Sequence, residues 1–225
     1  MKVSVFFASS GRAEMFNKAL LSLYDTTQRY VYDLDVVAAI DADPKAWDFA
    51  SEFGVRCWYS SVRRGALQAW NDALSMTNGN ILVPAGDDQL FHDGWLEYAL
   101  ESHKNILDGY GVVGMNDLAY DGNKQLATMF LFDRKYCKEV MGGVFAPPVY
   151  KYYNVDSEWN EKAKSLGRFY WDERSIVEHL HSAHGKRPID EHDLNRQESK
   201  WMEIDNRIFE ERKANNFPIM WHSII

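Results

Sequence analysis

The chain is poor in the residues that mark several protein classes. Its 225 residues include 2 cysteines, 6 prolines and 14 glycines. Cys57 and Cys137 are too few for a disulfide framework, and neither has a second cysteine at metal-ligand spacing, so both are expected as reduced thiols in a cytosol-like compartment. No apolar run approaches the ~18 residues of a membrane span, and Val3 to Ala8 falls short of the ~7 to 15 residues of a signal-peptide core. A cytoplasmic location with no membrane span is the expectation. Positive charge is also scarce: Lys plus Arg is 25 against 33 Asp plus Glu, a formal charge of −8, so a strongly basic nucleic-acid or membrane footprint is missing. Neither Gly-x-Gly-x-x-Gly nor Gly-x-x-x-x-Gly-Lys-Ser/Thr occurs, which removes the dinucleotide and P-loop motifs. No internal repeat, low-complexity tract or long linker is present.

Apolar and aromatic residues are plentiful, 46% and 14% of the chain, enough for a sizeable core. The first half alternates short apolar runs with stretches of helical period, the pattern of β-α units feeding a mostly parallel sheet. Val3–Ala8 reads as a strand, followed by a helix over about 12–24 with Met15, Ala19, Leu20 and Leu23 on one side. Leu34–Ile40 is a second strand. Asp43 is placed to cap the next helix, with Pro44 as its first residue. A strand at Val55–Tyr59, a helix over about 64–75, a turn at Asn78-Gly79 and a buried strand at Ile81–Val83 follow. Further on, the pattern predicts a helix over 94–107, an apolar segment at 111–114, and a strand over 125–132. It then predicts a helix over 156–166, a strand over 175–180 and a charged helical tail from Asp190 to Ala214. The simplest division is one domain over 1–189 with a helical extension over 190–225. Trp70 and Phe49 are assigned to the core.

The strand at Ile81–Val83 runs into Pro84-Ala85-Gly86-Asp87-Asp88. Two adjacent carboxylates thereby emerge at its carboxyl end, where open α/β sheets place their ligands. Such a pair repels itself unless a cation neutralises it, and a hard divalent ion does so well. Gly-Asp-Asp is also good turn chemistry, and spacing alone leaves a turn and a metal site equally open.

The segments Arg64-Gly65 through Asn71, Asn80 through Asp88 and Asp93-Gly-Trp-Leu96 resemble the central region of the inverting nucleotide-sugar glycosyltransferases of family 2. The resemblance extends more loosely over about residues 3–190. It implies a single Rossmann-like glycosyltransferase-A domain, with a mostly parallel central sheet flanked by helices and a helical C-terminal extension. The implied function is transfer of a sugar, with inversion, from a nucleotide diphosphate sugar, a uridine diphosphate sugar above all, to an acceptor hydroxyl. Gly86 stands where the family's Asp-x-Asp motif has its first Asp. The resemblance makes Asp88 a ligand of Mn²⁺ or Mg²⁺ and puts Asp87 at the ribose or the metal shell. It places Ser9 and Arg12 at the donor's base and phosphates, where a helix start already favours anions. Asp41 would read the base or ribose, and Arg64, favoured over Arg63, would reach the nucleotide. Lys186 would close over the diphosphate.

Inverting transfer needs a base for the acceptor hydroxyl. By the resemblance it is Asp156, with Glu158 as the alternative, although an Asp before a helix is also an ordinary N-cap. His179 and His181 project to one face of a strand end, and one of them would complete the metal site. Trp95 and Trp159 are the candidate acceptor contacts, against a core role for both. The acceptor class stays open among glycan, lipid, protein, metabolite and modified nucleobase. A catalytically degenerate nucleotide-binding homologue and a sugar-nucleotide pyrophosphorylase are the alternative functions.

Overall fold

The computed structural model describes residues 1–27, 32–118, 126–198 and 200–219. Eight strands form one sheet in the order β3-β2-β1-β4-β7-β6-β8-β5. The first half follows the sequence pattern closely: β1 (Lys2–Ser9), α1 (Ala13–Thr26), β2 (Asp33–Asp41), α2 (Pro44–Glu52), β3 (Arg56–Ser60), α3 (Ala66–Met76) and β4 (Ile81–Gly86). β1 pairs in parallel with β2 and β4, and β2 with β3. Alternation along β1 assigns the two faces. Val3, Val5 and Phe7 enter a core with α1, α2 and α4, while Phe6 and Ala8 enter a second core with α3, α5 and α6. On α1 the fully buried aromatic is Phe16 rather than Met15, which is half-buried one residue off the inward face.

The second half departs further from the expected pattern. β5 (Gln89–Phe91) leads to α4 (Trp95–Asn105), β6 (Val112–Asn116), β7 (Met129–Asp133) and α5 (Arg134–Met141). α6 (Val155–Ser165), β8 (Phe169–His179), a short 3₁₀ turn (Ser182–His184), α7 (Glu191–Glu198) and α8 (Trp201–Ala214) complete the chain. The strand expected over 125–132 is observed only at its end; Gln125 lies outside the described residues. β8 is an 11-residue strand that starts six residues before the expected 175–180 and ends at His179. The charged Asp172-Glu173-Arg174 hides its first half, and the register slips there: Met115 pairs with Asp172 but Asn116 with Ile176.

β7 and β5 run antiparallel to their neighbours. Among the described residues β7 pairs with β4 at Ile81 and Leu82. Beyond Leu82 that side of β4 is open, so Pro84, which has no N–H to give, is tolerated in the middle of the sheet. The Trp70 indole N–H donates to the Ala85 carbonyl there at 2.8 Å. No described helix is long and apolar enough to cross a membrane.

Candidate active site

The parallel strands β1, β2 and β4 end on the same side at Ser9, Asp41 and Gly86, and a cavity of about 710 Å³ opens over these ends. The β4–β5 turn is closed by the Gly86 N–H donating to the Gln89 Oε1 at 2.8 Å. The turn and the functional interpretation of Gly-Asp-Asp therefore describe the same residues. A Cβ on Gly86 would sit 3.1 Å from Asp88 Oδ1, so a side chain here would press on the second acid.

Asp87 faces the β1–α1 loop. It accepts hydrogen bonds from Ser9 Oγ at 3.2 Å and Ser10 N–H at 3.3 Å, and Arg12 Nη1 lies 3.4 Å away. Burial and the charge of Asp88 push the Asp87 carboxyl upward. Burial works on Asp88 in the same sense, but His179, Arg12 and Arg187 override it and hold that carboxylate low. His179 Nε2 stands 3.4 Å from Asp88 Oδ1, while Arg12 and Arg187 approach Oδ2 at 3.3 and 3.9 Å.

Asp88 and His179 carry oxygen and nitrogen donors of the kinds divalent ions take. Neighbouring ligands of a six-coordinate ion at ~2.1 Å lie ~3.0 Å apart, close to the Asp88–His179 separation. Among the described residues no group of three or more His, Cys, Asp or Glu side chains is arranged to hold a metal. His181 lies beside His179, ring centroids 5.0 Å apart, but its Nδ1 accepts from the Ala183 N–H.

Arg12 and Arg187 are the cations at the centre. Arg12 donates to Asp190 at 2.7 and 3.1 Å, and Arg187 to Asp193 at 2.6 and 2.9 Å. The segment from the 3₁₀ turn to α7 thus straps across the cavity by ion pairs. Among the described residues, three buried polar atoms with no hydrogen-bond partner belong to residues lining this cavity: Ser10 Oγ, Arg187 Nε and His192 Nε2. Sequence reasoning overlooked His192 because it lies in a charged segment that reads as solvated surface. Lys186, expected over the diphosphate, instead binds Glu178 at 2.8 Å and does not line the cavity, whereas Arg187 does.

Asp41 and Arg64 both line the cavity but are joined to each other. Arg64 donates from its backbone N–H and from Nε and Nη2 to Asp41, and from Nη1 to Asp72. Its guanidinium lies 3.7 Å from the Trp58 ring centroid. This pair is a rigid floor beside the end of β2.

Asp156 also lines the cavity, in the first turn of α6. It is not the N-cap; Asn154 holds that position with φ 66°, and Asp156 Oδ1 accepts the Ser157 N–H at 2.8 Å. Burial holds the Asp156 carboxyl above its ordinary value. Glu158 points the other way into the protein, fully buried, bound by Arg212 at 2.7 Å and by Tyr150 at 2.7 Å. That network assigns it to packing, not to the base.

Trp95 and Trp159, expected at the acceptor, are each 0% exposed. Trp95 donates to Thr27 Oγ1 and packs on Phe91. Trp159 donates to the Phe145 carbonyl and sits 4.2 Å, centroid to centroid, from Phe132. Both are core residues. Trp70, by contrast, is half-buried and forms part of the cavity wall.

A curled, mostly parallel α/β sheet with an acidic turn at the end of β4 facing the cavity is the glycosyltransferase-A fold. Among solved structures of this fold, the mannosyltransferase PcManGT from Pyrobaculum calidifontis, in complex with GDP-Man and Mn²⁺, matches with a TM-score of 0.65 at 18% identity, over 78% of this chain and 55% of that one. Glucosyl-3-phosphoglycerate synthase from Mycobacterium tuberculosis, with Mg²⁺ and uridine diphosphate, matches with a TM-score of 0.64 at 14% identity, over 93% and 78%. S. aureus TarS 1-349 with UDP-GlcNAc gives 0.62 at 14% identity, over 79% and 57%. The chain therefore spans little more than half of the mannosyltransferase and TarS structures. No protein-family model and no curated protein sequence matches, so the likeness is one of fold.

Proposed function

We propose that this chain is a nucleotide-sugar glycosyltransferase that inverts the anomeric centre. The observation that carries this reading is the convergence, over the ends of β1 and β4, of Asp88 and His179 with Arg12, Arg187 and the unpartnered Ser10 and His192 atoms. Such a set suits a diphosphate: guanidinium groups give charge-assisted hydrogen bonds, and buried groups without partners gain them when it arrives. The neighbouring solved structures carry uridine or guanosine nucleotides with Mn²⁺ or Mg²⁺, which supports a donor of that class.

Asp88 and His179 are the residues that would hold Mn²⁺ or Mg²⁺, which supplies positive charge against the diphosphate. The Asp41–Arg64 pair, backed by Trp58, is assigned to the nucleoside. Asp156 accepts the proton of the acceptor hydroxyl as that oxygen bonds the anomeric carbon. The bond from that carbon to the diphosphate oxygen breaks on the opposite face, and its electron pair leaves with the diphosphate. A carboxyl held above its ordinary value is a better base for this step than a strongly stabilised carboxylate. Ser9 and Asp87 fix the β1–α1 loop so that Arg12 meets the phosphates.

Calorimetry with UDP and GDP, with and without Mn²⁺, tests the reading directly. One nucleotide is expected to bind in a metal-dependent manner, with the metal dependence lost in Asp88→Ala. Hydrolysis or transfer from the matching nucleotide sugar is expected to fall ~10²- to 10³-fold in that variant. Unchanged metal-dependent affinity in Asp88→Ala would refute the assignment, and tight binding without turnover would favour a non-catalytic homologue.

A further inference from the structure

The loop before Asp156 presents a row of rings at the cavity mouth. Tyr152 stacks on Trp201 of α8, with planes 18° apart and centroids 6.2 Å apart, and Tyr153 lies 5.2 Å from Tyr152. Both Tyr152 and Trp201 line the cavity. At that centroid separation, near-parallel rings overlap only at their edges, and Trp201 is 42% exposed.

The loop is held in place from α8. Asp205, fully buried, accepts the N–H groups of Lys151, Tyr152 and Tyr153 at 2.7 to 3.1 Å. Asp205 and Trp201 are four residues apart, so they lie on one face of the helix. A single helical face therefore fixes the backbone of the loop and packs a ring against its first tyrosine. Asp156, three residues beyond Tyr153, is carried by the same fixed loop.

Asn154, Asn195 and Lys151 line the same cavity. Arg12, Arg64 and Arg187 are bound by carboxylates, and Arg63 also lines the cavity. Flat apolar surface flanked by carboxamides suits a ring that has a C–H face and a rim of hydroxyls.

We propose that Tyr152 and Trp201 form the acceptor subsite and that the acceptor is a carbohydrate, one pyranose ring stacking on Trp201 so that a hydroxyl reaches Asp156. The proposal rests on the glycosyltransferase reading for the role of the subsite, but ring binding is measurable without transfer.

Saturation-transfer NMR with methyl glucoside, galactoside, mannoside and N-acetylglucosaminide, each with and without UDP and Mn²⁺, provides the test. At least one pyranoside is expected to bind in the millimolar range. Trp201→Ala should weaken that binding about tenfold and Trp201→Phe about threefold or less, as loss and retention of an aromatic face require. Melting curves confirm that each variant is folded, and calorimetric UDP affinity is the control for the donor side. Binding of no pyranoside to the wild-type protein, or equal binding to Trp201→Ala, would overturn the proposal. So would stacking of free thymidine or adenosine on Trp201 in place of the sugars, which would point to a nucleobase acceptor. If UDP fails to bind the wild-type chain while a pyranoside does, the donor assignment fails and the carbohydrate subsite stands.

Discussion

Asp156 and Glu158 sit two positions apart in the first turn of α6 and have opposite surroundings. Burial alone would raise the Glu158 carboxyl, but Arg212 and Tyr150 override it and hold the group below its ordinary value. A folded value below the unfolded one gives a stabilisation that is complete above the unfolded carboxyl range, about pH 4.3, and is lost as the pH falls through the folded value. Glu158→Gln is expected to cost about 3 kcal/mol at neutral pH, because Arg212 stays buried without its anion, and to flatten the acid limb of a stability-versus-pH curve. Asp156 is shifted the other way. Its charge opposes folding slightly, so Asp156→Asn should melt at or a little above the wild-type temperature while transfer falls ~10²- to 10⁴-fold. Equal melting curves for the two variants would refute the division of roles. The acidic pair was legible in the sequence because a buried strand runs straight into it. The burial of the tryptophans is legible in the helical period: Trp95 shares a face with Ala99, and Trp159 with Val155 and Ala163, all of them buried.

Among the elements, those with their own start signals were readable. Asp43 caps α2 as its position before Pro44 implied, accepting the Ala46 N–H at 3.1 Å. Asp43→Ala should lower stability by about 1 kcal/mol in chemical denaturation without altering nucleotide affinity. β5 is three residues long, too short for any alternation to register, and exists because it pairs with the end of β8. α5 follows β7 without a break: Asp133 ends the strand and caps the helix by accepting the Tyr136 N–H. A strand-to-helix change at one residue leaves no turn signature to find. The aromatic loop at 151–154 carried no signal either, since what fixes it is a carboxylate more than fifty positions further along the chain.

For the molecule as a whole, the two cores on the faces of the sheet hold the strand ends still, and the chain after β8 returns to cover them. α8 is tied down by Arg212 on Glu158 and by Asp205 on the 151–153 backbone, so the C-terminal helix is part of the site rather than an appendage. Long-range returns of this kind are beyond single-sequence patterns, which see neighbours along the chain. The strap that precedes α8 has a kinetic consequence. Asp190 already sits on Arg12 where a diphosphate would sit, so a spent nucleotide leaves arginines that have a replacement anion within reach. On the proposed function, the protein's own carboxylate would help a diphosphate depart. Removing it should lengthen nucleotide residence. In stopped-flow displacement, Asp190→Asn is expected to release UDP about fivefold more slowly than the wild-type protein, the worth of one partly exposed ion pair. An unchanged release rate would mean that the strap is merely packed against the site and takes no part in emptying it.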